Sequence, residues 1–305
     1  MNTPPLSRRD FVKSSALAAA ALQFPAVMNA ATAPAVPAAP AADANPVDLH
    51  WLERGTPAEL PGATWGVPWP RGRLAKDASF AGRTAAGVPV PVQSWPLATW
   101  PDGSLKWSGH AMPANAGRTD RLQIAPGPAS AAAPARAVAV SESPETVWIA
   151  TGVIVCRVAR RGPAIIESIT RDGREIARQG RLVCLRQDRT DFATQGVLRR
   201  ETFTGTITAA TVEQSGPVRA VVKLEGKHEG PGGRAWLPFT VRLYFYAGGD
   251  AVRMLHTFIF DGEQSQDFIQ GLGVHFDVPL RDELHNRHVR FAGEGNGVWG
   301  ESVHN

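Results

Sequence analysis

Thr240-Val241-Arg242-Leu243-Tyr244-Phe245-Tyr246 decides the fold class. Side chains branched at Cβ and aromatic rings crowd this run, and such groups suit a pleated surface better than a helix. Gly248-Gly249-Asp250 follows at once and closes a hairpin into the apolar run from Val252 to Phe260. Upstream the same signature recurs over Arg199 to Ala209, Val218 to Gly226, and from Trp236 into the quoted run. Still earlier, Thr146 to Ala150 leads into Gly152 to Val158, and Arg171-Asp172-Gly173-Arg174 folds Ile165 to Ile169 back onto Glu175-Ile176-Ala177. Residues 138–305 therefore read as an antiparallel β-sandwich. The helical pattern is confined to a short candidate near Ser265 to Phe268.

Residues 45–124 are dense in glycine, proline and tryptophan, and their apolar runs are short. Prolines interrupt every candidate helix, so turns every eight to twelve residues or so predict a small barrel or sandwich. Trp100-Pro101-Asp102-Gly103-Ser104 is a turn with a mechanism, since proline presets the first corner and Asp-Gly accommodates a positive φ. Between the two segments lies APGPASAAAPARA, residues 125–137, too poor in apolar bulk to pack and too rich in proline for a helix.

Ser7-Arg8-Arg9-Asp10-Phe11-Val12-Lys13, the apolar alanine-rich stretch after it, and small residues around Ala30 to Ala33 form a twin-arginine signal peptide over residues 1–33. An Ala/Pro linker occupies 34–44. The expected destination is the periplasm or the exterior, through the twin-arginine export machinery, with no membrane attachment after cleavage. Cargo of that route folds before export, so Cys156 and Cys184, both in apolar runs, are expected as buried thiols rather than a disulfide.

The net charge of +4 falls to about +2 once Arg8, Arg9, Lys13 and Asp10 of the leader are set aside. No basic run interleaved with aromatics occurs, and nucleic acid is not an expected partner.

Thr64-Trp65-Gly66-Val67-Pro68-Trp69-Pro70-Arg71-Gly72, Val90-Pro91-Val92-Gln93-Ser94 and Trp100-Pro101-Asp102-Gly103-Ser104-Leu105-Lys106-Trp107 resemble the N-terminal RIFT-barrel domain of the exo-rhamnogalacturonan lyase/YetA-like family. The Arg171 to Arg174 hairpin and the stretch from His256 to Trp299 resemble that family's central β-sandwich. The resemblance implies an all-β chain, a small RIFT-type barrel followed by an antiparallel sandwich, acting on an acidic rhamnogalacturonan-like polysaccharide by β-elimination. It also implies a helical toroid beyond Asn305 that completes the active site. A non-catalytic periplasmic glycan-binding or scaffold module, or a structural remnant without ligand, is the alternative.

Elimination from a uronic sugar needs a group that neutralises the C6 carboxylate, a base for the C5 proton and an acid for the leaving oxygen. The densest polar stretch runs from Arg281 to Arg290, with His256 and His275 upstream. Within it Arg287 is the candidate carboxylate clamp, His285 or His288 the base, and Asn286 an uncharged polarising group. Arg290 and Glu294 join as substrate contacts. A solvated inter-strand loop explains the same stretch without function. Trp69 and Trp100, held by proline turns, are the candidate sugar-stacking rings, while core packing is the other use of tryptophan. Lys106 and His110 are expected to face solvent. Gly271-Leu272-Gly273 lacks a third glycine and a βαβ setting, Asp261-Gly262-Glu263 reads as a turn rather than a calcium loop, and no spacing fits a metal or cofactor.

Overall fold

The computed structural model describes residues 46–52, 55–56, 58–116, 118–128, 132–190, 197–292 and 297–303. The leader and the first linker lie outside these residues. Among the described residues no helix is long and apolar enough to cross a membrane.

Two small antiparallel sheets make the barrel. One has the order β1 (Val47–His50), β7 (Arg121–Pro126), β3 (Phe80–Thr84), β4 (Pro89–Val90), and the other β2 (Ala63–Pro68), β6 (Leu105–Met112), β5 (Gln93–Thr99). Their inner faces bury Val67, Leu74, Phe80, Leu105 and Ile124 as one cluster and Leu60, Val90, Met112 and Leu122 as another. Ala125 and Pro126, expected in the second linker, extend β7 and pair with Ala81 and Phe80. The β5–β6 turn closes with Trp100 N–H donating to Ser104 O and Gly103 N–H to Trp100 O, with Gly103 at φ 82°. The Asp102 carboxylate accepts from Ser104 and from Arg71 Nε, and these bonds hold its pKa down at about 2.

The barrel also corrects the sequence reading of two side chains. His110, expected at the surface, is fully buried, and Trp69 is only 6% exposed. Trp69 Nε1–H donates to Ser108 Oγ at 2.7 Å, and the ring stacks on Phe80. A tight turn does hold Trp69, but it aims the indole inward, because a small barrel needs large rings to fill its interior.

The second domain is built on β8 (Ala139–Glu142), β9 (Thr146–Ala150), β10 (Ile154–Ala159), β11 (Ile166–Arg171), β12 (Arg174–Gln187), β13 (Arg200–Ser215), β14 (Arg219–Glu229), β15 (Ala235–Tyr246), β16 (Arg253–Phe258) and β17 (Phe268–Asp277). Neighbours pair antiparallel in chain order from β8 to β16, and β17 pairs with β12. The first half of β12 pairs with β11 and its second half with β13, with Gln179 at φ 51° near the handover. One long bent strand thus joins two layers. Val147, Ile149, Cys156 and Val158 from one layer meet Val222, Leu224, Val241, Leu243 and Phe245 from the other in one core. Period-two alternation along β15 is what places Phe239, Val241, Leu243 and Phe245 on the same inner face.

Asp172 and Gly173, at φ 50° and 73°, form the two-residue turn between β11 and β12 expected from Asp-Gly. Cys156 and Cys184 are free and buried. Burial pushes both thiols up, to about 12 and about 11, as for inert core sulfur. The short helix expected near Ser265 is instead a turn, with Asp267 N–H donating to Glu263 O, and the chain enters β17 at Phe268.

Barrel and sandwich meet at the outer face of β14 and β15, where Val218 and Tyr246 pack on Ala111, with Trp95 and Tyr244 beside them. Arg219 is 5% exposed at this junction. Its guanidinium lies 4.1 Å from the centroid of Trp95, donates to Thr64 Oγ1 and Gln214 Oε1, and has no carboxylate partner among the described residues. Gln93 Oε1 accepts from the backbone of Val218 and Arg219. Gly109 is what admits the Trp95 ring, since a Cβ there would fall 2.4 Å from it.

Candidate functional site

β12 and β17 pair in a register that no local pattern reveals: Arg181 lies opposite His275 and Arg178 opposite Asp277. Val274 and Phe276 turn inward to the core, so His275 and Asp277 point outward. Arg181 Nη2 approaches His275 Nδ1 at 3.2 Å and Asp277 Oδ1 at 3.9 Å, and His275 Nδ1 is 4.0 Å from the same carboxylate oxygen. With Arg181 as the donor, Nδ1 is the acceptor and the ring presents Nε2–H to solvent. The chain then runs through Arg281, whose Nη1 donates to Glu175 O, into the stretch singled out from the sequence.

There His285 and Asn286 occupy one 3-10 turn, Leu284–Asn286. Arg287 Nε donates to Asp282 O, and Arg287 O accepts from Val303 N–H. His288 and Arg290 belong to β18 (His288–Ala292), which pairs with β19 (Val298–Ser302) as a separate two-stranded ribbon. Cross-strand pairing sorts its faces. His288 and Arg290, opposite Ser302 and Gly300, share one face, while Val289 and Phe291, opposite Glu301 and Trp299, share the other. The side chains of His285, His288 and Arg290 have no hydrogen-bond partner among the described residues. The apolar face is exposed as well, with Trp299 at 72%.

His285, Asn286, Arg287, His288 and Arg290 thus lie on one largely exposed segment that follows β17, the strand carrying His275 and Asp277. Glu294 lies outside the described residues. Trp69 is removed from any sugar-facing role by its burial in the barrel. Trp100 is half-buried: its Nε1–H donates to Trp69 O, and Lys106 Nζ stands 4.6 Å from the ring centroid, covering one face. Among the described residues no three His, Cys, Asp or Glu side chains gather as a group able to hold a metal ion. Chemically, the segment offers guanidinium groups for a carboxylate, imidazole nitrogens, and hydrogen-bond donors on a strand pair. His275 was visible in the sequence only as an upstream histidine, because its partner Arg181 is 94 residues away.

Two family matches cover this architecture. A PcRGLX-like N-terminal RIFT barrel domain matches residues 45–127, and a PcRGLX-like protein central beta sandwich domain matches residues 138–305. The chain belongs to the PcRGLX-like family. Within it, the chain is similar to YetA of Bacillus subtilis (strain 168), 39% identical over 247 residues, or 81% of this chain. The chain spans 28% of the length of that relative. The barrel and sandwich expected from the Trp-Pro-Asp-Gly-Ser stretch and the Arg171 hairpin are thus the two family domains.

Proposed function

We infer that this chain is the scaffold and one wall of the sugar cleft of an exported carbohydrate-active protein of the polysaccharide-lyase type. Its substrate is a rhamnogalacturonan-like glycan carrying uronic acid, cleaved by β-elimination. Membership of the PcRGLX-like family through both domains is the observation that carries this reading. In it, Arg287 and Arg290 pair with the uronate carboxylate, which stabilises charge developing next to C5. His288 or His285 takes the C5 proton, and Asn286 polarises the carboxylate without adding charge. His275, oriented by Arg181, supplies an Nε2–H donor from β17, the strand that precedes this segment in the chain. Export follows the twin-arginine leader, and the site is completed by structure beyond these two domains.

The test is formation of unsaturated product from rhamnogalacturonan oligosaccharides, followed by absorbance, with the Arg287→Ala/His288→Ala double variant alongside. Product from the protein in its full-length context, lost in the double variant, supports the reading. Product formation unchanged in the variant, or absent with every uronate glycan offered to the folded full-length protein, overturns it.

A further inference from the structure

Loops from both domains meet around a cleft of about 480 Å³ at one end of the sandwich. Arg118 comes from the β6–β7 connection, Arg136 from the segment preceding β8, and Arg171 from the β11–β12 turn, and all three line it together with Asn115, Glu59 and Asp250. We propose that this cleft is a second glycan site, one that holds the carboxylate of an acidic saccharide at the junction between barrel and sandwich.

Charge and donor geometry carry the argument. Arg171 Nη1 lies 3.4 Å from Asp250 Oδ2 and its Nε 3.9 Å from Asp172 Oδ2, so that cation is already paired and contributes direction more than free charge. Arg118 and Arg136 are each tied to a backbone carbonyl, of Ala58 and Gly152, and neither has a carboxylate within ion-pair distance among the described residues. A carbonyl fixes the direction of a guanidinium but leaves its charge and most of its donors unspent. Three guanidinium groups from three separate connections thus converge on one concavity, the arrangement that recognises a planar carboxylate in a bidentate manner.

The floor is held by the backbone. Ala114 N–H donates to Ala247 O, which ties a barrel loop to a sandwich loop directly, while Asn115 N–H donates to Leu60 O within the barrel and Gly248 N–H to Thr151 O within the sandwich. Asn115, in the left-handed region at φ 57°, keeps its amide side chain at this junction. A second hollow of about 570 Å³ shares Asn115, Arg136 and Gly248 with the first and is walled by Pro89, Pro91 and Pro113. A charged pocket that shares lining residues with a proline-walled one suits a pyranose chain, whose carboxylates need cations and whose C–H faces need flat apolar surface. The class of ligand rests on the glycan reading above, whereas the anion site rests on the arginines alone.

Calorimetric titration of the full chain with tri-galacturonate, its carboxyl-reduced neutral counterpart and inorganic phosphate tests the assignment. The acidic trisaccharide is expected to bind, the neutral one not. The Arg118→Gln/Arg171→Gln variant, changed only at exposed side chains, should weaken binding at least about 10-fold at an unchanged melting temperature. Arg118→Lys/Arg171→Lys should recover part of it, and Arg287→Ala/His288→Ala should leave the cleft's share of the binding, the share that Arg118→Gln/Arg171→Gln removes, unchanged. Equal binding by the glutamine variant, or none by the folded wild type, overturns the cleft. Phosphate binding as tightly as tri-galacturonate overturns the saccharide assignment. Loss of binding in the Arg287/His288 variant alone places the sugar on the ribbon and ends this proposal while sparing the glycan reading. Cleft binding as expected, without unsaturated product from any uronate glycan, leaves the cleft standing and removes the lyase reading.

Discussion

Ser108 Oγ lies 2.6 Å from Nε2 of His110, two residues along the same strand and out of reach of solvent. Trp69 Nε1–H donates to the same oxygen, and Nδ1 of His110 lies 2.8 Å from Ser94 Oγ, so both ring nitrogens have a hydroxyl partner. A Ser–His contact of this length invites a nucleophile reading, but nothing from solvent reaches it. It is a satisfied polar chain inside a barrel.

Burial pulls the His110 pKa down from 6.5 to about 4. The unfolded chain takes up a proton more readily than the folded one, so stability is fully present above about pH 6.5 and is lost as pH falls through about 4. The expected loss is about 3 kcal/mol between those limits. Urea midpoints measured from pH 7 down to 4 should fall accordingly, and His110→Leu should flatten that dependence. Ser108→Ala orphans both Trp69 Nε1 and His110 Nε2 and is expected to cost about 2 kcal/mol at neutral pH.

Asp267 gives a second acid-sensitive device in a different window. Burial raises its pKa, but bonds from Arg234, the Glu263 backbone and Arg186 outweigh that and hold it at about 2. Its share of stability is present above about pH 3.8 and is lost as pH falls through about 2. Asp267→Asn leaves the buried Arg186 with Glu201 as its remaining carboxylate, and about 3 kcal/mol should disappear from the unfolding free energy at pH 7.

Among the described residues Arg219 is a buried cation held by rings, the Gln214 amide oxygen and the Thr64 hydroxyl rather than by a carboxylate, and burial lowers its pKa. Lysine keeps the charge but loses the flat stack on Trp95 and the paired contact with Gln214, whereas methionine removes the charge and keeps the bulk. Arg219→Lys should therefore destabilise by about 2 kcal/mol and Arg219→Met by less. Calorimetry that ranks them the other way would show that the charge itself holds the junction.

Gly109→Ala should weaken the same junction from the barrel side. The added methyl meets the Trp95 indole, a rigid ring that also supports Arg219, and an overpacking cost of about 2 kcal/mol is expected. Thermal unfolding of the variant gives that shift directly.

The strands were legible wherever one face is buried, because burial forces period two, and β15 is the clearest case. Turns were legible where chemistry dictates them, as at Asp172-Gly173 and Pro101 to Gly103. What failed was orientation of single side chains. Trp69 follows the end of β2 and His110 lies in β6, where proline and glycine mask alternation, so nothing local said which way they point. The Arg181–His275 pair was invisible for another reason, since only the β12–β17 register joins residues so far apart. The ribbon from His288 to Ser302 has no interior face among the described residues to impose a pattern, so its polar stretch read as a loop.

Hydrogen–deuterium exchange with and without a rhamnogalacturonan oligosaccharide shows whether the sugar sits on the segment from Arg281 to Arg290. Protection of residues 278–292 and β17, separate from any at the Arg118–Arg171 cleft and abolished by Arg287→Ala/His288→Ala, is the expected result. Protection centred on Trp100 and the β5–β6 turn, with the ribbon unchanged, would contradict it and return sugar binding to the barrel.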